Sequence, residues 1–219
     1  MASFNTDSTI KLAQKLKTLY LKQEGFNKNS SIAPAMIRLY FHDCFSDNGC
    51  DASLLLDGTS SEKKASPNLS VRGYELIDDV KSVVEKECPN VVSCADIIAM
   101  ATRDHVTLAS GRKIKYEIPT GRHDGLVSLA STIDLPSPRL TVSDTVAKFA
   151  KENLSLTDMV LLLGMGGHTI GVTHCSFIMD PVPALRDGQW GLCFGPAPNF
   201  LISLKERGPF FFRYIRKRV

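Results

Sequence analysis

Residues 38–57 read RLYFHDCFSDNGCDASLLLD, and the spacing inside this stretch decides how the rest of the chain is read. Arg38 and His42 stand four residues apart in a run with helical apolar spacing, which puts both on one face with Phe41 adjacent. A neutral imidazole beside a permanent cation suits a reaction that moves a proton while negative charge develops next to it. Directly afterwards, Asp43, Asp51 and Ser53 offer hard oxygen donors around a glycine-containing turn. A chain wraps calcium in this way, with backbone carbonyls filling the remaining positions; an Asx-rich turn without a metal is the plainer alternative. Cys44 and Cys50 bracket the turn and could clamp it with a short disulfide, a feature that a metal-free turn leaves unexplained.

Working outward, the spacing predicts helices separated by loops. The central helix begins after Ser30 or Ser31 and accepts Pro34 in its first turn. Upstream, Thr6, Asp7 and Ser8 can cap a helix with the apolar stripe Ile10, Ala13, Leu16, Leu19 and Tyr20. Downstream, the Asp-, Gly- and Ser-rich residues 46–70 predict a structured loop. Helical spacing returns at Tyr74, Ile77, Val80 and Val84, and again in SCADIIAMATRDHVTLASG, closed by Gly111. Residues 115–140 read as a long connection with a short extended piece. Helices resume at TVSDTVAKFA and at SLTDMVLLL, where Ser155 and Asp158 have capping-box spacing.

A second histidine motif, GGHTIGVTHC at 166–175, follows the apolar run MVLLL. Two glycines ahead of His168 let the backbone approach something flat or bulky, and an imidazole there suits an axial haem ligand; a core histidine satisfied by a carbonyl is the alternative.

The composition is that of an ordinary globular chain, with 43% hydrophobic and 22% charged residues. No apolar run is long enough to cross a bilayer, so no membrane partner is expected. The net charge of +3 comes from residues 181–219. A basic end such as RYIRKRV without a binding motif reads as solvated, and no nucleic-acid partner is expected.

RLYFHDCFSDNGCDASLLLD resembles the distal signature of plant class III secretory haem peroxidases, and GGHTIGVTHCSFIMD resembles their proximal signature. Between them EKKASPNLSVRGYELIDDVK, CPNVVSCADIIAMATRD, PTGRHDG and LPSP follow in the family's order, so that the resemblance spans about residues 30–180. It implies an all-α haem peroxidase fold with haem b between two helical layers and two calcium sites. By this resemblance His42 is the acid/base that moves the peroxide proton, Arg38 stabilises charge on the breaking O–O bond, and Asn68 accepts from the other ring nitrogen of His42. Phe41 lies in the haem pocket. Glu62 belongs to the first calcium network with Asp43, Ser46 or Asp47, Gly49, Asp51 and Ser53. His168 matches the iron ligand, Thr169 a ligand of the second calcium, and Pro136 the haem edge where phenolic donors are oxidised. Asn29, Asn68 and Asn153 each begin an N-x-[ST] sequon, and a glycan on Asn68 would conflict with its buried role.

The sequence also departs from the family pattern. The loop SDNGC is one residue longer than usual. Met165 and Gly166 add two residues before His168, and two residues of helix are about 200° of rotation, so the imidazole keeps its direction only if the glycines bulge. The family's second-calcium ligands and orienting aspartate are not recognisable after Asp180, which gives a peroxidase-like domain at 1–180, a divergent tail at 181–219 and an incomplete proximal region. Of the family's four disulfides only Cys44–Cys50 keeps both partners. The expectation is a monomeric haem peroxidase that reduces hydrogen peroxide with phenolic donors, extracellular by resemblance although residues 1–15 show no export signal. The alternative is a truncated, inactive relative.

Overall fold

A computed structural model describes residues 31–46 and 48–167. Its regular elements are helices and 3₁₀ turns, with no strand among the described residues. The helix predicted near the N-terminus, the tail and the boundary at Asp180 lie outside them. The chain divides into two compact units, one reaching Leu135 and the other beginning at Pro136.

In the first unit, α1 (Ile32–Cys44) buries Ala33, Met36, Ile37, Leu39 and Tyr40. Against it packs α3 (Cys94–Ala109), whose Ala95, Ile97, Ile98 and Ala99 are fully enclosed. The Thr102 hydroxyl, also buried, spends its proton on the Met36 carbonyl at 3.1 Å, so a polar group inside the interface stays satisfied. Between them in sequence, α2 (Tyr74–Glu87) turns Ile77 and Val84 inward. Gly73 precedes it with φ 109°, and a Cβ there would sit 2.9 Å from Met36 Sδ. Backbone strain and crowding both call for glycine at this point.

The segment PTGRHDG, which carried no role in the sequence reading, is the buckle of this unit. Ser93 caps α3 by accepting from Asp96 N–H. The Asp124 carboxylate accepts from the N–H groups of Cys94 and Ala95 at 2.9 Å each, placing negative charge at the positive end of the helix. Asp96 in turn accepts from Gly121 N–H at 2.7 Å and from Arg122 Nη1 at 2.8 Å, with both side chains of the ion pair buried. No strand forms in the long connection; a 3₁₀ turn at Ala130–Thr132 is its regular part, flanked by extended backbone at Leu129 and Ile133.

The second unit holds α4 (Val142–Lys151) and α5 (Leu156–Met159). Thr141 caps α4. Its far end closes through Asn153 N–H on Ala150 O and Leu154 N–H on Phe149 O, a left-handed terminus with buried Phe149 and Leu154 alongside. The predicted capping box of Ser155 and Asp158 is present. Beyond it the helix does not stay α: Val160–Gly167 is a π-helix. This wider winding turns less per residue than an α-helix, and it covers Met165 and Gly166, which the sequence reading took as two added residues.

Candidate active site

Arg38 and His42 leave α1 on the same face, as their spacing requires, and they touch: Arg38 Nε donates to His42 Nε2 at 3.2 Å. The opposite ring nitrogen, Nδ1, lies 2.7 Å from Asn68 Oδ1. Asn68 is nearly inaccessible, and its Nδ2 donates to the Glu62 carbonyl at 2.8 Å. That bond fixes which end of the amide is oxygen. Oδ1 can only accept, so Nδ1 carries the proton and Nε2 presents its lone pair. The ring is therefore set as a base at one nitrogen by a chain of contacts behind the other.

Two further contacts, absent from the sequence reading, position the guanidinium. Arg38 Nη1 donates to Ser70 O at 3.2 Å and Nη2 to Pro67 O at 3.1 Å. The turn 67–70 thus holds both residues, His42 through a side chain and Arg38 through two carbonyls. Backbone carbonyls leave no residue-type signature, so the sequence could not announce them. Burial lowers the Arg38 pKa from its ordinary value, and the nearby Tyr74 counters this. Burial in turn pushes the Tyr74 phenol up to about 12. Phe41 is half-buried, its ring edge-on to His42 at 6.1 Å and 5.2 Å from Phe45.

The loop after α1 is closed by the Cys44–Cys50 disulfide. Gly49 takes φ 78° and Ala52 φ 57°, which fold the chain back on itself. Asp43 is buried; its Oδ2 accepts from Ala52 N–H at 3.1 Å, whereas Oδ1 has no hydrogen-bond partner among the described residues. Burial raises the Asp43 carboxyl well above the usual carboxylate range, with Asp51 and Glu62 adding to the rise. Glu62 Oε1 accepts from Ser53 Oγ at 3.0 Å, while Oε2 is likewise buried without a partner among the described residues; burial raises this carboxyl too. Ser46 Oγ donates to the carbonyls of Asp43 and Gly49, each at 3.2 Å. Among the described residues no group of three or more His, Cys, Asp or Glu side chains forms a metal cluster. The donors gathered here are instead carboxylate, hydroxyl and carbonyl oxygens, the set that calcium takes.

Contacts from far along the chain hold this turn. Gly125 N–H donates to Asp51 O at 2.7 Å, and a side chain at Gly125 would collide with the Asp51 carboxylate. Ser128 Oγ accepts from Glu62 N–H at 2.9 Å. Of the other residues singled out from sequence, His168, Thr169 and Asp47 lie outside the described residues, and Pro136 is half-buried at the start of the second unit.

A helical chain that presents an arginine and a tautomer-fixed histidine from one helix, followed by an oxygen-lined turn, has counterparts among known proteins. A family model described as Peroxidase matches residues 20–209, and the chain belongs to the peroxidase family. It is 78% identical over 166 residues to Peroxidase 60 of Arabidopsis thaliana, which covers 76% of this chain and 49% of that protein. Peroxidase 44 of the same plant is 46% identical over 180 residues, covering 78% and 57%. Peroxidase 57 is 45% identical over 217 residues, covering 90% and 67%. The chain thus spans about half to two thirds of the length of these curated relatives, and the family match runs on past Asp180. Among the described residues no helix is long and apolar enough to cross a membrane.

Proposed function

We propose that the chain is a haem-dependent peroxidase that reduces hydrogen peroxide while oxidising small phenolic donors, and that it acts outside the cell as a monomer. The observation that carries the proposal is the tautomer of His42: Nδ1–H held by Asn68 at 2.7 Å leaves Nε2 free of a proton, within reach of a peroxide oxygen. The half-buried Phe41 ring, 6.1 Å from that of His42, supports the reading as an apolar contact for a haem beside the pair. His168 is assigned as the iron ligand and Phe41 as a wall of the haem pocket. Bound haem b supplies the two-electron reduction of peroxide and the later one-electron oxidations of donors, at an edge assigned to Pro136.

His42 takes the proton of incoming peroxide at Nε2 and returns it to the departing oxygen as water leaves. The positive charge that His42 acquires is met by Asn68 Oδ1, which the Glu62 carbonyl keeps from rotating. Arg38, charged throughout, stabilises negative charge on the separating oxygen. To do so it must give up its own bond to Nε2, and the carbonyls of Pro67 and Ser70 keep the guanidinium close while it does.

Calcium is assigned to the turn formed by Asp43, Ser46 or Asp47, Gly49, Asp51 and Ser53, with Glu62 linking it to Asn68. The support is the buried Asp43 Oδ1 and Glu62 Oε2, without hydrogen-bond partners among the described residues, which a divalent cation and its waters would satisfy. A second calcium is assigned to Thr169. The π-helical winding of Val160–Gly167 supports the role of His168, because it relieves the rotation that two extra residues would impose on an α-helix.

The test is reconstitution with haem, which should give a Soret band and peroxide-dependent oxidation of guaiacol. A chain that takes up no haem, or a His42→Ala variant with undiminished activity, would refute the reading.

A further inference from the structure

Asn48 is the one asparagine of the chain followed by glycine; the others precede threonine, lysine, serine, leucine, valine or phenylalanine. An asparagine side chain can close on the main-chain nitrogen of the next residue, and that approach is least hindered where the next residue has no Cβ. Asn48 is exposed, and no hydrogen bond holds its side chain among the described residues.

The turn around it withholds the nucleophile. Gly49 N–H donates to Ser46 O at 3.0 Å, while the Gly49 carbonyl accepts from Asp51 N–H at 3.1 Å and from Ser46 Oγ at 3.2 Å. Gly49 is buried in the left-handed region at φ 78°, and the Cys44–Cys50 disulfide closes the loop on either side of it. Ring closure at Asn48 requires the Gly49 nitrogen to leave the Ser46 carbonyl and surrender its proton. The folded turn therefore protects a residue whose sequence context is the most reactive in the chain.

We propose that Asn48 is a site of deamidation, gated by the opening of this turn. In the reaction, Gly49 N bonds to Asn48 Cγ and gives up its proton, the Cγ–Nδ2 bond breaks, and Nδ2 takes a proton and leaves as ammonia. Water then opens the resulting succinimide at either carbonyl. Opening at Cγ gives aspartate; opening at the main-chain carbonyl gives isoaspartate, with the chain rerouted through Cβ and Cγ. Nothing is oxidised or reduced. Because ammonia is lost, each event leaves a permanent record that the turn has opened.

The products act on the loop in different ways. Aspartate adds negative charge between Asp43 and Asp51. Isoaspartate lengthens the main chain by a methylene inside the loop closed by Cys44 and Cys50, which moves the Gly49 carbonyl off its two donors. That carbonyl is among the oxygens assigned to calcium, so weaker calcium binding by the modified chain rests on that assignment; the modification itself does not.

The test incubates the full chain at mildly alkaline pH, with its disulfide intact or reduced, and maps deamidation peptide by peptide by mass, with isoaspartate detected by enzymatic methylation. Asn48 should be the first asparagine converted, and reduction should speed its conversion by about tenfold or more, as expected when local opening limits access. Asn48→Gln should remove the isoaspartate signal. A reduced chain whose Asn48 stays an amide, while a free peptide of residues 46–51 is converted, would overturn the site; equal rates with the disulfide intact and reduced would overturn the gate. Neither readout depends on haem uptake or peroxidase activity.

Discussion

Arg38 Nε lies 3.2 Å from His42 Nε2, so the cation and the base are bonded to each other across one turn of α1. The bond occupies the lone pair that a substrate proton needs. The pair is poised by what holds each partner from behind: Asn68 for the imidazole, and the carbonyls of Pro67 and Ser70 for the guanidinium.

Removing the support behind the imidazole should disable the base without removing it. Asn68→Val deletes the acceptor of Nδ1–H and frees the ring to exchange tautomers. The rate constant for reaction with peroxide should fall by about 10–100-fold, the usual cost of losing such an orienting partner, while haem uptake is kept. Stopped-flow measurement at the Soret band checks this.

Gly125→Ala should damage a turn more than seventy residues earlier in sequence, because the added methyl meets the Asp51 carboxylate and strains the Gly125 N–H bond to Asp51 O. Overpacking of this kind costs about 1–3 kcal/mol. The melting temperature should drop, and calcium should bind more weakly to the variant.

Calcium itself should raise the melting temperature and a chelator should lower it. The gain is about 2.7 kcal/mol when the free ion is at 100 times its dissociation constant. Asp43→Asn should abolish the shift, because it replaces a buried carboxylate, whose Oδ1 has no hydrogen-bond partner among the described residues, with a neutral amide. A melting temperature indifferent to calcium in the unsubstituted protein would remove calcium from the turn.

Arg122→Ala should be among the most destabilising single changes in the first unit. It leaves Asp96 charged, 8% exposed on its side chain and without its cation. Breaking one side of a buried pair costs about 3–5 kcal/mol. Denaturant unfolding of Arg122→Ala, and of a double variant Asp96→Leu with Arg122→Met, separates the orphaned charge from the lost packing; the double variant should recover much of the loss.

His105 gives the fold an acid-side weakness. The ring is buried in α3 with Nδ1 2.9 Å from Ala101 O, and burial lowers its pKa from the ordinary 6.5. Below 6.5 the unfolded chain takes up a proton that the folded chain resists, so stability is intact above that pH and is lost as pH falls towards the depressed folded value. His105→Gln should flatten this part of the stability profile, measured as unfolding free energy from pH 7 down to pH 5.

Much of the site was legible because its chemistry resides in side chains at short, regular intervals. The i, i+4 placement of Arg38 and His42 and the cysteines six apart express local geometry: helical rise brings the first pair together, and a short turn after α1 the second. Ser155 with Asp158 announced a capping box for the same reason. The spacing between residues 115 and 140 did not show that Asp96, Asp124 and Arg122 draw that segment onto the end of α3. Those bonds span 25 to 30 residues, and no local pattern records them.

By itself the sequence determined the α-helices of the described residues up to Met159, the pairing of an arginine with a histidine, and the oxygen-rich turn, all products of periodicity and residue type within a few turns of chain. Only the tertiary structure decided which nitrogen of His42 holds its proton, what restrains Arg38, and why position 125 admits no side chain. Those outcomes depend on carbonyls, amide orientation and close approach between distant segments, and a backbone atom is the same in every residue until folding gives it a neighbour.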